Sequence, residues 1–349
     1  MTTLMDNPLR IVFWETTVRC NLSCGHCRRL AVESKDELSG EEARSLIDEL
    51  AQMGGGGRGP TMLIFSGGEP LLRGDIFELA GYARERGVVT ALASNGTMID
   101  RTIASRIAEA GLGRVAISLD GPDGESHDRI RNQIGSFERS LRGMGFVQDA
   151  GVEVQINTTV SRSNLSMLPG MLELAKTLKA AAWHVFVFVP VGCGAQLSGE
   201  EVLGPEEAEE LLCWLYEVSQ QGDIQIKPTC APQYYRLSAQ RKSQASASDS
   251  GSLRHGYTRG CLAGINVCFV SATGRVFPCG YLPVEAGDLR QQRLRDIWER
   301  SDVFLQLRDF GLLKGRCGGC EYVGLCGGCR ARAFGVYGDM LAEEPGCLY

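Results

Sequence analysis

The chain has 349 residues, of which 44% are hydrophobic and 22% charged, an ordinary balance for a globular protein of about two domains. Its net charge of −6 argues against nucleic acid as a partner, because phosphate binding calls for a basic face. No apolar run approaches the length of a membrane span, and the N-terminus lacks the apolar core of a signal peptide, so a cytoplasmic location with no membrane partner is predicted.

Residues 10–190 alternate short β-rich runs with amphipathic helical stretches. The six candidate strands read IVFWETTV, TMLIFSG, VVTALAS, GRVAISLD, VEVQINTTV and WHVFVFVP. In the first helical stretch between them, Ala43, Leu46, Ile47 and Leu50 recur at helical spacing. Such alternation predicts an α/β fold with a parallel sheet, here a partial (βα)6 barrel of the TIM type. Ligands of such a barrel bind where the carboxyl ends of the strands meet.

Changes in composition along the chain predict three domains. Residues 1–197 would form the partial barrel, and residues 198–256 would form a helix around EEAEELLCWLYEV followed by the polar linker QRKSQASASDSGS. Residues 257–349 are rich in Cys and Gly and show little periodicity. A segment of this kind cannot bury a large apolar core, so bound metal is expected to hold it together.

Most of the 14 cysteines fall into two groups that are separated by a cysteine-poor span. Cys20, Cys24 and Cys27 lie in CNLSCGHC after the first predicted strand, and eight more lie between residues 261 and 347. In a reducing compartment such groups favour metal binding over disulfides. An iron–sulfur cube takes four protein thiolates, so three would leave one iron open for chemistry. A zinc loop or a set of redox thiols is the alternative.

Glycines and polar residues end the following strands, and all of them would reach the mouth of the barrel. Gly67, Gly68 and Glu69 belong to a GGEP sequence after the second strand. The glycines permit close approach of a ligand, and the carboxylate can pair with an ammonium group. The sequences Asn95-Gly96 and Asp120-Gly121 are also ordinary turn signals. The later strands end in Ser94 and Asn95, in Ser118 and Asp120, and in Asn157 and Thr158.

CxxxCxxC followed one βα unit later by GGEP resembles the signature of the radical S-adenosylmethionine (SAM) superfamily. The resemblance implies a [4Fe-4S] cluster whose open iron binds the amino and carboxylate groups of SAM, and cleavage of SAM to a 5′-deoxyadenosyl radical. It makes Cys20, Cys24 and Cys27 the catalytic cluster ligands and places Glu69 at the amino group of SAM. It also implies further cofactor-binding residues, namely His26, Gly67, Gly68, Asn95, Ser118, Asp120, Arg131 and Asn157.

The C-terminal cysteines resemble the SPASM extension of radical SAM enzymes, which carries one or two auxiliary [4Fe-4S] clusters. That pattern gives the first auxiliary cluster the ligands Cys261, Cys268, Cys279 and Cys329. It gives the second auxiliary cluster the ligands Cys317, Cys320, Cys326 and Cys347. The final CGGC has two residues between its cysteines where the family more often has three, which leaves the role of Cys329 and the number of complete clusters open. Two zinc ribbons, which also use paired cysteines, are the alternative.

Three cysteines have no place in these two patterns. Cys213 lies beside Leu211, Leu212 and Leu215 on a predicted amphipathic helix and is expected to be a buried structural thiol. Cys193 and Cys230 could each face a substrate, and the sequence assigns neither of them a role.

Longer runs narrow the resemblance within the superfamily. WETTVRCNLSCGHCR, FSGGEPLLR, VQINTTV, KPTCAPQYYR, TRGCLAGI and CGGCRARAF are similar to the heme b synthase family, and together they span nearly the whole chain. This resemblance implies oxidative decarboxylation of two propionates of iron-coproporphyrin III to vinyl groups, which gives heme b. The implied partners are an iron-porphyrin substrate and a reductant such as flavodoxin or ferredoxin.

A flat porphyrin edged by carboxylates calls for aromatic faces and cationic groups. The predicted substrate residues are Lys227, Tyr234, Tyr235 and Arg236. The alternatives are a radical SAM step of heme d1 or another modified tetrapyrrole, a SPASM-type peptide maturase, and a non-catalytic iron–sulfur electron carrier. About ten residues precede the first strand, too few for a leader-peptide domain, which disfavours the maturase. The missing fourth thiolate and the nearby GGEP disfavour the carrier.

Overall fold

The computed structural model of the chain describes residues 7–28, 36–54, 60–244 and 259–349. Its strands are β1 (Ile11–Glu15), β2 (Met62–Ser66), β3 (Val89–Ser94), β4 (Arg114–Ser118), β5 (Glu153–Val160), β6 (Ala182–Val187), β7 (Gln225–Thr229), β8 (Val267–Val270), β9 (Arg275–Phe277) and β10 (Gly287–Asp288). They form one ten-stranded sheet in the order β10-β9-β8-β1-β2-β3-β4-β5-β6-β7.

Helices follow the strands of the barrel and build much of the C-terminal region. They are α1 (Gly40–Gly54), α2 (Ile76–Glu85), α3 (Arg101–Glu109), α4 (Gly124–Arg131), α5 (Ser136–Asp149), α6 (Leu168–Thr177), α7 (Ser198–Glu201), α8 (Pro205–Gln221), α9 (Gln233–Gln244), α10 (Leu294–Arg300), α11 (Asp302–Arg308), α12 (Gly315–Gly318) and α13 (Arg330–Tyr337). Short 3-10 turns lie at Pro70–Leu72, Leu165–Met167, Gly192–Leu197 and Phe310–Leu312.

The predicted α/β partial barrel is confirmed. The strands from β1 to β7 pair in parallel, and a helix follows each of the first six. The apolar stripe of α1, with Ala43, Leu46, Ile47 and Leu50, is buried in the main core as its helical spacing predicts. Parallel strands covered by helices place their carboxyl ends, and the loops that follow them, at one mouth.

The inner face of the sheet carries a row of polar side chains across four strands. The members of this row are paired with one another in the ladders and are Ser118, Asn157, His184 and Lys227. Paired residues on neighbouring strands share a face of the sheet. The residues one position earlier or later in each strand lie on the opposite face. Ile117, Ile156, Trp183 and Ile226 are such residues and are buried in the main core, so the polar row faces the interior of the barrel.

The sheet extends beyond the six strands that the sequence predicts. β7 lies in the stretch predicted to be a helix and linker, and β8 lies in the stretch predicted to be organised by metal. β8 pairs in parallel with β1, from Ile11 opposite Val267 to Trp14 opposite Val270. Hydrogen bonding in the sheet therefore crosses both predicted domain boundaries, which fall at residues 197 and 256.

The predicted polar linker at residues 240–252 is only partly within the described residues. Its first part, up to Gln244, is the end of α9, and the part from residue 245 lies outside the described residues. In the described part of the chain, no helix combines the length and the apolar character that crossing a lipid bilayer requires.

Candidate active site

The loop that carries Cys20, Cys24 and Cys27 follows β1 and packs on the GGEP turn after β2. Gly68 N donates to Thr17 O, and Glu69 N donates to Arg19 O, both at 2.8 Å. A Cβ at Gly68 would lie 2.2 Å from Arg19 O, and a Cβ at Gly67, where φ is +152°, would lie 2.6 Å from Thr17 O. The two glycines therefore allow direct contact of the turn with the cysteine loop, and this contact positions the three thiols.

Glu69 is completely buried behind this turn, where its carboxylate accepts three hydrogen bonds. The donors are Ser94 Oγ at 2.9 Å, Asn95 N at 2.8 Å and Leu71 N at 3.3 Å. Burial nevertheless raises the pKa of Glu69 to about 7, and within the described residues no cation acts on it. A desolvated carboxylate without a positive partner fits the ammonium group of SAM, which would lower that pKa again.

Asn95 connects the end of β3 to the cysteine loop. Its Nδ2 donates to Asn21 Oδ1 at 2.8 Å, and its Oδ1 accepts from Thr97 N at 2.9 Å and from Thr97 Oγ1 at 2.7 Å. Both polar atoms of the side chain are engaged within the protein. In this structure Asn95 acts as a brace for the loop, and the predicted contact of its side chain with the cofactor stays a prediction.

Asp120, Arg131 and His26 form a buried charged group beside Cys24. Arg131 Nη2 lies 2.7 Å and His26 Nε2 lies 3.3 Å from Asp120 Oδ2, and Arg131 Nη1 donates to Cys24 Sγ at 3.8 Å. Burial disfavours ionisation of Asp120, yet Arg131 and His26 together lower its pKa below the usual range. Arg131 reaches this place from α4, a helix that the sequence analysis did not predict.

Two buried atoms of this charged group make no hydrogen bond within the described residues. They are Arg131 Nε and Asp120 Oδ2, and the latter has ion-pair contacts with Arg131 Nη2 and His26 Nε2. Buried polar atoms of this kind are uncommon and indicate a missing ligand or water. The predicted assignment of Asp120 and Arg131 to the cofactor site fits this geometry, as does the position of Ser118 and Asn157 in the neighbouring polar row.

Three of the four cysteines predicted for the first auxiliary cluster are near enough to influence one another electrostatically. The thiols of Cys279 and Cys329 both interact electrostatically with that of Cys261. Burial raises the pKa of Cys279 to about 12 and that of Cys329 to about 11. Ionising such thiols is costly unless a metal takes up the charge, so these three fit a cluster.

Cys268 does not join this group, and its prediction as a ligand needs correction. It is fully buried on β8, opposite Val12 of β1, and both residues belong to the main core. Spacing in the sequence suggested a ligand, but alternation along the strand turns this side chain towards the core. The remaining partner of Cys261, Cys279 and Cys329 is Cys230, whose thiol interacts electrostatically with all three.

The four cysteines predicted for the second auxiliary cluster line one cavity. These are Cys317, Cys320, Cys326 and Cys347, and the wall also contains Arg236, Glu344 and Tyr349. Burial raises the pKa of Cys326 to about 12, and the thiols of Cys347 and Cys317 add to that effect. A cavity walled by four thiols fits a cube with four protein ligands. Cys261 N donates to Cys326 O at 3.1 Å, so the two auxiliary groups are adjacent.

Sequence reasoning missed the buried charged residues that brace the auxiliary groups. Arg330 donates to Cys317 Sγ at 3.7 Å, and Arg332 donates to Glu344 Oε1 at 2.9 Å. Glu344 Oε2 in turn accepts from Cys329 N at 2.5 Å. The available signal was the pair of arginines in CGGCRARAF, directly after one cysteine of each auxiliary group.

The predicted substrate residues separate into two groups. Lys227 faces the barrel interior in the polar row. Tyr234 and Tyr235 are instead buried in the main core, where Tyr234 Oη lies 3.0 Å from Ser219 Oγ. Arg236 is buried as well, pairs with Glu209 and lines the cavity of the second auxiliary group. The prediction of Tyr234, Tyr235 and Arg236 as a porphyrin rim is therefore corrected, since α9 turns them inward.

Family models match two separate stretches of the chain. The model for the radical SAM superfamily matches residues 14–175, and the model for the SPASM iron–sulfur cluster-binding domain matches residues 261–330. An AdoMet-dependent heme synthase of Methanosarcina barkeri is 45% identical over 99% of this chain and 98% of the relative. The chain belongs to the radical SAM superfamily. As an enzyme of that superfamily it uses an iron–sulfur cluster together with SAM, and the class predicted from CxxxCxxC and GGEP is confirmed.

Other relatives and solved structures agree with this placement. An AdoMet-dependent heme synthase of Oleidesulfovibrio alaskensis is 45% identical over 97% of this chain and 87% of the relative. Streptococcus suis SuiB bound to the precursor peptide SuiA has a TM-score of 0.76 at 15% identity, over 99% of this chain and 76% of that chain. Native anSMEcpe with bound AdoMet has a TM-score of 0.70 at 20% identity, over 97% and 94% of the two chains. The two solved structures show the fold alone.

The comparisons correct the family and the function inferred from the sequence. That inference placed the chain closest to heme b synthase and related it to the heme d1 proteins. It kept open a step of heme d1 or another modified tetrapyrrole, a peptide maturase and an electron carrier. Among the relatives these activities are distinct. A Fe-coproporphyrin III synthase of M. barkeri is 32% identical and a pre-heme d1 synthase of Dinoroseobacter shibae 33%, against 45% for AdoMet-dependent heme synthases. The broad grouping is therefore replaced by the heme synthases, and the three alternatives are dropped.

Proposed function

We propose that this chain is an S-adenosylmethionine-dependent heme synthase, which forms heme b from Fe-coproporphyrin III. The main support is the 45% identity to AdoMet-dependent heme synthases over nearly the full length of both chains. The matching residues lie in both the barrel and the C-terminal region. The similarity therefore includes both walls of the space between them. The proteins named for other tetrapyrrole reactions match over similar lengths but at 32–33% identity.

Tyr281 marks the space in which we place the substrate. Its hydroxyl interacts electrostatically with Cys27 of the first cysteine loop and with Cys230 and Cys279 of the first auxiliary group, and burial raises its pKa. The positive charge of Arg28 also interacts with the Tyr281 hydroxyl. The Arg28 guanidinium lies 4.6 Å from the centre of the Phe269 ring. A cation and aromatic side chains thus lie between the two cysteine groups, as a planar molecule with carboxylate groups requires.

Lys227 supports this placement from the opposite side of the barrel interior. Burial lowers the pKa of its ammonium group to about 8, so the group is still mostly charged at pH 7 but loses its charge just above neutral pH. A propionate of the substrate beside Lys227 would favour the charged form and would gain a charge-assisted hydrogen bond. We therefore keep Lys227 as a substrate residue.

In this proposal, different residues bind each cofactor. Cys20, Cys24 and Cys27 would hold the catalytic cluster, with Glu69, Asp120 and Arg131 around SAM. Once bound there and reduced by a donor such as flavodoxin or ferredoxin, the cluster and SAM would supply radical chemistry for hydrogen abstraction. We assign two auxiliary clusters to the C-terminal region. The residues of the chain orient the substrate, and the GGEP turn keeps the cysteine loop in place.

The test is conversion of Fe-coproporphyrin III by anaerobically reconstituted protein with SAM and dithionite. Heme b should appear with the mass decrease of two CO2 and four hydrogen atoms, together with 5′-deoxyadenosine. Lys227→Gln should weaken the apparent affinity for Fe-coproporphyrin III about tenfold, since a hydrogen bond to a charged group contributes about 1.5 to 3 kcal/mol. Lys179→Gln, at an exposed position of the same barrel, is the matched control.

Two results would contradict the proposal. The first is release of 5′-deoxyadenosine while Fe-coproporphyrin III is recovered unchanged. The second is conversion of a heme d1 precursor in a parallel reaction at a higher rate. An unchanged affinity in Lys227→Gln would remove Lys227 from the site and leave the heme synthase assignment standing.

A further inference from the structure

Cys230 occupies a backbone position that needs an explanation. It directly follows β7, at the mouth of the barrel, and its φ is +55°. This left-handed conformation is uncommon for a residue other than glycine, and it persists only where the surroundings hold it. Such positions are concentrated at functional sites, so the question is what holds Cys230 and what it faces.

Buried polar contacts tie Cys230 to Cys329. Arg332 Nη2 donates to Cys230 O at 2.9 Å, and Arg332 Nη1 donates to Glu344 at 2.9 Å. Glu344 accepts from Cys329 N at 2.5 Å through its other oxygen. Arg332 and Glu344 are 5% and 1% exposed, so this connection is shielded from water and fixes the two cysteines relative to each other.

The side chain of Cys230 shares its surroundings with Cys261, Cys279 and Cys329. Cys230 and Cys279 both pack against the small apolar cluster that contains Cys329. The thiol of Cys230 also interacts electrostatically with those of Cys329, Cys279 and Cys261. Cys268, by contrast, lies in the main core on the other face of the sheet.

We propose that Cys230 is the fourth protein ligand of the first auxiliary cluster, with Cys261, Cys279 and Cys329, and that Cys268 is a core residue without a metal role. Four thiolates complete the ligand set of a cube, so this cluster would have no open iron. It would therefore suit electron transfer and would not bind substrate through iron. The proposal depends on the auxiliary cluster and is independent of the tetrapyrrole, so its failure would leave the heme synthase assignment unaffected.

The test uses the full chain with Cys20, Cys24 and Cys27 replaced by Ala, in which only auxiliary clusters contribute iron. After anaerobic reconstitution, iron and sulfide are measured per chain, and the reduced protein is studied by electron paramagnetic resonance (EPR). The parent should hold about eight irons in two cubes. Cys230→Ala should hold about four irons, or retain a cluster with altered g values in one of the two signals.

Cys268→Ala is the matched control, since it removes a buried thiol of the same region. It should keep the iron content and both EPR signals of the parent. Cys230→Ser preserves the side-chain volume and offers an oxygen ligand, so it should shift one signal even if Cys230→Ala does not fold. The proposal is overturned if both Cys230 variants match the parent in iron and spectrum, or if Cys268→Ala loses the cluster instead.

Discussion

The carboxylates of Glu69 and Asp120 are both completely buried near the cysteine loop, yet their surroundings act in opposite directions. Burial dominates at Glu69 and raises its pKa to about 7. At Asp120 the cationic neighbours outweigh burial and lower the pKa. Asp120 is therefore a fixed negative charge that anchors Arg131 and His26, whereas Glu69 gains a positive partner only when a ligand brings one.

We expect SAM binding to require ionised Glu69. Because the pKa of Glu69 is raised to about 7, the carboxylate is mostly ionised at pH 7.5 and mostly protonated at pH 6. SAM affinity should therefore fall about eightfold between these two pH values, in proportion to the ionised fraction. Glu69→Gln should bind SAM about tenfold or more weakly, with this pH dependence removed. Anaerobic calorimetric titration of the reconstituted protein measures both effects.

Glu78→Gln provides the control, because Glu78 is an exposed carboxylate on α2. It should keep the affinity and the pH dependence of the unmodified protein. Without SAM, the same raised pKa makes the free energy of unfolding decrease as pH rises from about 4.5 to 7. Equal SAM affinity at pH 6 and pH 7.5 in the unmodified protein would exclude Glu69 as the partner of the ammonium group.

Arg131 should tune the reduction potential of the cluster on the first cysteine loop. Its guanidinium donates to Cys24 Sγ at 3.8 Å and therefore stabilises the added negative charge of the reduced state. Removing the donor should make the cluster harder to reduce, by about 30 to 60 mV for a one-electron couple. An EPR-monitored redox titration of Arg131→Ala measures this shift.

Arg129→Ala is the matched variant, since Arg129 is exposed on the same helix α4 and two residues away. It should leave the potential unchanged. If Arg131→Ala has the potential of the unmodified protein, or a higher one, then the contact with Cys24 has no electronic role. Arg131 would then serve only to neutralise Asp120.

Two short segments, the cysteine loop and the GGEP turn, form one structural unit. Their backbones are joined by hydrogen bonds and lie too close together for a side chain to fit between them. At Gly68 a Cβ would lie 2.2 Å from Arg19 O and 2.9 Å from Cys20 Cβ, and the nearest atoms are backbone and cannot rotate away. Gly68→Ala should therefore displace the loop and cost about 1 to 3 kcal/mol.

The measurement is iron bound by the first cysteine loop, together with chemical unfolding of the protein without clusters. Gly68→Ala should lose that cluster selectively and keep the iron of the C-terminal region. Gly74→Ala is the control, since nothing lies within 4 Å of a Cβ there. A cluster of normal occupancy and potential in Gly68→Ala would show that the loop adjusts without the turn.

The elements that sequence reasoning found and missed differ in how local their signals are. β1 to β6 alternate with amphipathic helices, so periodicity reveals them. β7 contains Lys227 and Pro228, and β8 contains Cys268, so neither segment was recognised as a strand from its residue types. Both strands become evident only through their pairing with β6 and β1 in the sheet. The first cysteine loop and GGEP are contiguous motifs and were predictable. Cys230 was not, because only folding brings it to Cys261, Cys279 and Cys329.

At the scale of the whole molecule, the C-terminal region consists of two parts that pack against different apolar clusters. β8, β9, α10 and α11 contribute apolar side chains to the same core as the barrel, and these include Val270, Val276, Leu294, Ile297, Trp298 and Phe304. The cysteine-rich end surrounds a smaller apolar cluster with Leu282, Leu307, Cys329, Ala331 and Met340. We therefore expect bound metal to hold only the second part together.

Removal of the clusters should consequently unfold one part and spare the other. Hydrogen exchange compares the reconstituted protein with protein stripped of iron by an anaerobic chelator. Residues 315–347 should lose protection by about a hundredfold or more, since metal binding and folding are coupled there. β8 should keep its protection, because its ladder to β1 spans Ile11–Trp14 and Val267–Val270 and lies beside the main core. β3, in the middle of the sheet, is the internal reference. If β8 loses protection in parallel with residues 315–347, the C-terminal region is a single metal-dependent unit and the shared sheet contributes little to its stability.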